Sequence, residues 1–150
     1  MINLKEQAAA SKRWLNRGIG SHRYVKALER RLYSFTYANI TNYENDGSAR
    51  TEPKENIQES KMLEYSELRR LIDETKASIE TNDIETIKTI NEIDSNLQKT
   101  ILVERYINLL SWDDIAKKVG YSTAHVQRIH GVALLSLFKV LKAEGLEYEE

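Results

Sequence analysis

Apolar residues recur along much of this chain at alternating steps of three and four, the spacing of an amphipathic helix. The first series runs through Val25, Leu28, Leu32, Phe35 and Asn39. The second runs through Tyr65, Leu68, Ile72, Thr75 and Ile79. Such steps are typical of a coiled-coil seam. Strand-like alternation is almost absent, and 150 residues include only one proline and six glycines. The chain is therefore predicted to be all-α.

Turn-forming residues divide the N-terminal part into two long helices. The first is predicted from about Leu4 to Tyr43, with a bend or break at Gly18-Ile19-Gly20. Residues 42–56 carry turn formers and the only proline, which predicts a loop. The second helix is predicted over about 56–80. Asn82-Asp83 either caps a separate continuation or lies within one longer helix.

The two seams predict an antiparallel helical hairpin over residues 1–93, in which each apolar stripe covers the other. Such a hairpin leaves some large side chains uncovered, among them Tyr24, Tyr33, Met62 and Leu71. We therefore expect the chain to form a homo-oligomer.

Helix-capping residues organise the C-terminal part, residues 94–143, into three helices. Ser95 with Gln98 is a capping-box pattern, and Ser111 with Asp114 is a second cap. A helix over about 112–119 should end at Gly120, which adopts the left-handed conformation at little cost. Ser122 then caps a helix to about Ala143. An acidic tail, 144–150, follows.

The stretch 111–129 is typical of a helix-turn-helix, which places its second helix in the major groove of DNA. Ala116, Gly120, Val126 and Ile129 stand where this motif needs small, turn-permitting and apolar residues. The predicted partner is double-stranded DNA.

Two sets of residues are the candidate DNA contacts. The predicted base-reading residues, which are short or polar, are Thr123, Ala124, Gln127 and Arg128. Glutamine can pair with adenine and arginine with guanine. The predicted contacts to the DNA backbone are Lys117, Lys118, Ser122, His125 and His130.

Charge is unevenly distributed along the chain. Residues 1–31 hold eight Lys and Arg against two Asp and Glu, a net charge of +6. Residues 32–98 carry −7, residues 99–143 carry +4 and the tail carries −4. The helix-turn-helix thus lies in a basic segment. The basic N-terminal segment either pairs with the acidic second helix or contacts DNA, an acidic surface or another protomer.

Other functional classes are disfavoured. The chain has no cysteine, so thiolate metal sites and disulfides are excluded. No apolar run is long enough for a membrane span or a signal peptide, which predicts a cytoplasmic protein. His125 and His130 are five apart, rather than the three or four that suit ligands on one helix face. We expect no catalytic residues, no cofactor and no metal.

Residues 98–106 followed by 110–116 resemble region 4 of sigma-70 type factors. In that family an Arg-Tyr pair and a Leu-Ser-aromatic-acid-acid-Ile-Ala run precede the glycine turn and the recognition helix. The resemblance covers about residues 93–143. Residues 121–134 are similar to small phage and prophage proteins of Gram-positive bacteria that include or neighbour the RinA and ArpU types of regulator. Those carry an N-terminal coiled-coil region.

The resemblance implies a transcriptional regulator of phage genes, with host RNA polymerase as a candidate partner. Nothing in the chain resembles sigma region 2, so promoter melting is not implied. Activator, repressor and incomplete sigma factor remain open. The alternative is an oligomeric coiled-coil interaction or assembly protein, for example a DNA-packaging subunit, whose helix-turn-helix docks protein.

Overall fold

The computed structural model describes residues 2–44 and 54–146, with the side chains of 2–35 and 59–146. All secondary structure in this part of the chain is helical, which confirms the all-α prediction. The helices are α1 (Leu4–Asn16), α2 (Ile19–Glu44), α3 (Lys54–Ile90), α4 (Asn96–Tyr106), α5 (Trp112–Val119) and α6 (Thr123–Ala143). Within the described residues, no helix is both long and apolar enough to cross a membrane.

The break predicted at Gly18-Ile19-Gly20 separates α1 from α2. A Cβ atom at Gly18 would lie 3.0 Å from Nδ2 of Asn82. A side chain at this position would therefore require the Asn82 amide to shift. At its other end α1 begins with a capping box: Asn3 Oδ1 accepts from Glu6 N, and Glu6 Oε2 accepts from Asn3 N.

Helices α2 and α3 are longer than the sequence predicted. Part of the loop expected at 42–56 is helical, since α2 continues to Glu44 and α3 begins at Lys54. Residues 45–53 lie outside the described part. Of the two alternatives at Asn82-Asp83, the single long helix is found. The Asn82 side chain accepts from Arg17 Nε instead of capping a helix.

The chain divides into two compact units, the first comprising Met1–Ile19 with Thr81–Glu150 and the second Gly20–Glu80. In the second unit the two helices pair in opposite sequence order. Phe35 packs against Tyr65, with ring centroids 6.2 Å apart, and Glu29 Oε1 lies 2.6 Å from Lys76 Nζ. The buried seam side chains are Val25, Ile72 and Ile79. Asn39, also expected in the seam, lies outside the described side chains.

The first unit contains two groups of buried side chains. One joins α1, the end of α3, α4 and α6 through Leu15, Ile90, Ile93, Leu102, Tyr106, Ala133, Leu134, Leu137 and Leu141. The other joins α4, α5 and α6 through Ile101, Ile115, Ala116 and Val126. The boundary expected after residue 93 falls inside this unit, because Ile90 and Ile93 pack in one group with side chains of α4 and α6.

The caps predicted in the C-terminal part set its helix limits. Ser95, Ser111 and Ser122 each accept from the backbone N–H three residues later. The second half of the box at Ser95 is not formed, because Gln98 Oε1 is buried and has no hydrogen-bond partner among the described residues. Of the expected acidic tail, residues 147–150 lie outside the described part.

Two glycines of this region should respond oppositely to substitution. Gly120 has a φ of 75°, where a Cβ atom costs about 1 kcal/mol, so Gly120→Ala should destabilise the protein by about that amount. Gly131 lies within α6, and an added Cβ would meet nothing within 4 Å. Gly131→Ala should stabilise by about 0.5–1 kcal/mol. Urea unfolding measures the free energy of unfolding of both variants. Equal changes of the same sign would contradict the prediction.

Candidate nucleic-acid interface

Helices α5 and α6 are joined by a three-residue turn whose geometry is specified locally. Gly120 adopts the left-handed conformation at the end of α5. The N–H groups of Gly120 and Tyr121 both donate to Ala116 O, at 3.0 and 3.2 Å. Ser122 then begins α6 by accepting from His125 N at 3.2 Å. The short turn fixes where the first residues of α6 lie relative to α5.

One face of this helix pair is held by apolar packing. Ile115, Val126 and Ile101 are fully buried together, and Ala116 lies beside them. The half-buried side chains around them are Leu97, Leu110, Trp112, Val119 and Ile129. Because the side chain of Ala116 is small, α5 and α6 can approach each other closely at this residue. The buried face fixes which side chains of α6 point outward.

The outward face of the first turns of α6 carries Ala124, Gln127 and Arg128, all exposed. These are three of the four predicted base-reading residues. They lie one turn apart on the side of α6 away from Val126. The first turn of α6 contains no acidic residue, whereas that of α5 contains Asp113 and Asp114.

Thr123, the fourth predicted base-reading residue, is half-buried, and its hydroxyl already makes a hydrogen bond. Its Oγ1 donates to Asp113 Oδ1 at 3.0 Å, joining the first turns of α5 and α6. The sequence does not predict this pair. Ten residues separate the partners, and no helical or turn spacing signals such a contact.

The predicted backbone-contacting residues differ in exposure. Ser122, Lys117 and Lys118 are exposed, and Lys118 Nζ lies 3.9 Å from Glu104 Oε2. His125 is half-buried, and its ring centroid lies 4.8 Å from that of Tyr121. All four stand at the junction of α5 and α6.

His130 is placed differently, because its side chain is buried with only 8% exposure. Nε2 of His130 and the Tyr106 hydroxyl are 2.8 Å apart and share a hydrogen bond. The edge-on ring of Trp112 lies 4.7 Å from the imidazole between centroids. Helical spacing put His130 near the reading face, but its ring turns inward. His130 therefore lacks the exposure that the predicted contact with the DNA backbone requires.

The surroundings of His130 favour neutral groups. Burial lowers the pKa of His130 from 6.5 to about 4, and the positive charges of Lys12 and Arg105 add to the shift. Burial likewise raises the pKa of Tyr106 to about 12. Arg105 lies over Trp112, 4.4 Å from the ring centroid, and donates to Leu110 O.

A neutral His130 makes stability depend on pH. The unfolded chain takes up a proton on His130 near pH 6.5, whereas the folded chain does so only near pH 4. Stability should therefore be full above about pH 6.5 and fall as the pH drops, by about 2 kcal/mol at pH 5. Urea unfolding at pH 7.5, 6 and 5 measures the slope. The variant His130→Gln should show a smaller slope, and an unchanged one would contradict this origin.

Among the described residues, no group of three or more His, Asp and Glu side chains is arranged to hold a metal ion. Comparison with protein-family models, with curated proteins and with solved structures finds no match to this chain.

Proposed function

We propose that this protein is a sequence-specific DNA-binding regulator of transcription that inserts the start of α6 into the major groove. The observation that carries the proposal is the exposed face of Ala124, Gln127 and Arg128 on a helix that also carries the fully buried Val126 and Ala133. A helix held in this way can meet base edges without rearranging its own packing.

The exposed side chains have the chemistry for base reading. Gln127 can pair with adenine and Arg128 with guanine, each contact worth about 1–3 kcal/mol of discrimination. Ala124 is small enough to admit the helix start into the groove. The backbone N–H groups there suit a phosphate oxygen, since no acidic residue occupies the first turn of α6. Lys117 adds a charge that can reach the DNA backbone.

We infer a different task for Thr123. Its hydroxyl donates to Asp113, so it orients the start of α6 and does not itself read a base. The remaining carboxylate oxygen of Asp113 would repel a phosphate placed beside it. Asp113 therefore limits how the duplex can lie across the two helices.

We further propose a sigma region 4-like helix-turn-helix in a phage or prophage regulator of the bacterial cytoplasm, on an antiparallel helical hairpin, with RNA polymerase as a candidate partner. Support comes from the resemblance over residues 93–143. The alternative is an interaction or assembly protein that docks protein through α5 and α6. Exposed Tyr121 and Val132, close to the proposed reading face, favour that candidate.

Selection of binding sites from random duplexes tests the proposal, and we expect an enriched motif. Arg128→Ala should relax preference at one base position by about 1–3 kcal/mol. Lys117→Ala should weaken all sequences alike and reduce the salt slope by about one. Lys142→Ala is the matched control, because Lys142 carries one charge and lies about 21 Å along α6 from Arg128.

A selection without any enriched motif would defeat sequence-specific binding. Retention of RNA polymerase subunits or another protein, without DNA enrichment, would favour the docking alternative. Equal losses in all three variants would show that only net charge matters.

We also propose self-association through the second unit. Tyr33 and Met62 are both more than 70% exposed there, and contact with a second copy of the chain would remove their apolar surface from water. Sedimentation velocity at tens of micromolar should show a dimer or larger species. The variant Met62→Glu should lower the association, whereas Ser60→Glu, at an exposed position on the other side of α3, should not. A monomer throughout that range would overturn the proposal.

A further inference from the structure

Two basic side chains form a row along α1. Lys5 and Lys12 are both exposed, and their spacing of seven residues puts them on one side of the helix, two turns apart. They belong to the basic segment 1–31, for which the sequence left the partner open. The structure divides that segment between the two compact units, and α1 lies in the first.

Helix α1 is fastened to the helix proposed to read DNA. Ser11, the residue before Lys12, is fully buried, and its Oγ donates to Leu134 O of α6 at 2.7 Å. Leu134 follows Gln127 by seven residues, so both lie in one row of α6, about 10 Å apart along the axis. Helix α1 therefore packs against the side of α6 that carries Gln127.

The opposite edge of α1 faces α3. Arg17 donates from Nε to Asn82 Oδ1 and from Nη2 to Thr86 Oγ1, at 3.1 and 3.2 Å. Lys12 lies about 140° around the helix from Arg17, given 100° per residue. The side of α1 that carries Lys12 is thus turned away from α3.

The electrostatics of α6 agree with this placement. Burial is the main reason for the low pKa of His130, and the charge of Lys12 lowers it further. The positive charge of Lys12 thus acts on a side chain of α6 two residues beyond Arg128.

We propose that Lys5 and Lys12 extend the DNA-binding surface of α6 by contacting backbone phosphates beside the bases that α6 reads. This inference rests on the proposed function. Lysine binds phosphate as a point charge and carries no sequence information. The row therefore supplies affinity and position, while Gln127 and Arg128 supply base preference.

The experiment measures the affinity for a selected duplex and for a random duplex across a salt series. The test variant is Lys5→Gln with Lys12→Gln. The matched control is Lys26→Gln with Arg30→Gln, which removes two exposed charges from the same basic segment in the second unit. Circular dichroism of each variant confirms that it remains folded.

We expect the test variant to reduce the salt slope by about two and to weaken binding roughly fivefold to tenfold per charge at 0.1 M salt. The ratio between selected and random duplexes should stay unchanged. Lys5→Arg with Lys12→Arg should restore the slope, and the control should change it by less than half as much.

An unchanged slope in the test variant, with normal binding by the wild type, would overturn this inference and leave the proposed function standing. Equal losses in test and control variants would also overturn it, because the effect would then be one of net charge. A wild type with no affinity for any duplex would overturn both.

Discussion

The double packing of α6 is the constraint on which the first unit depends. Its early turns place Val126 against α4 and α5, and its later turns place Leu137 and Leu141 against α1, α3 and α4. Because close-packed groups of side chains tolerate little displacement, both orient the same rigid helix. The residues left outside are therefore a defined set, and Gln127 and Arg128 belong to it. The candidate site is therefore defined by buried side chains that do not themselves contact DNA.

Between the two groups lies the ring of His130. It shares a hydrogen bond with Tyr106 and packs edge-on against Trp112, so it connects α4, α5 and α6. A buried polar group contributes here only while it is neutral and paired. The same burial makes a proton on His130 unfavourable. The helix proposed to read DNA is thereby held by a contact that depends on pH.

Local signals in the sequence were accurate where the controlling interactions are local. Ser111 and Ser122 begin α5 and α6 as predicted, and Gly120 takes the left-handed conformation between them. Such features depend on groups three or four residues apart, which adjacent sequence contains. The prediction for Gln98 was wrong because its side-chain oxygen is buried and meets no N–H among the described residues.

By itself the sequence determined the helical class, the start and end of α5 and α6, and the outward position of Ala124, Gln127 and Arg128. Periodicity and capping suffice for these, since both act within one or two helical turns. Only the tertiary structure decided that α1 packs on α6, that Asp113 engages Thr123 and that His130 turns inward. Those contacts join residues between ten and more than a hundred positions apart, and no local spacing encodes such pairings.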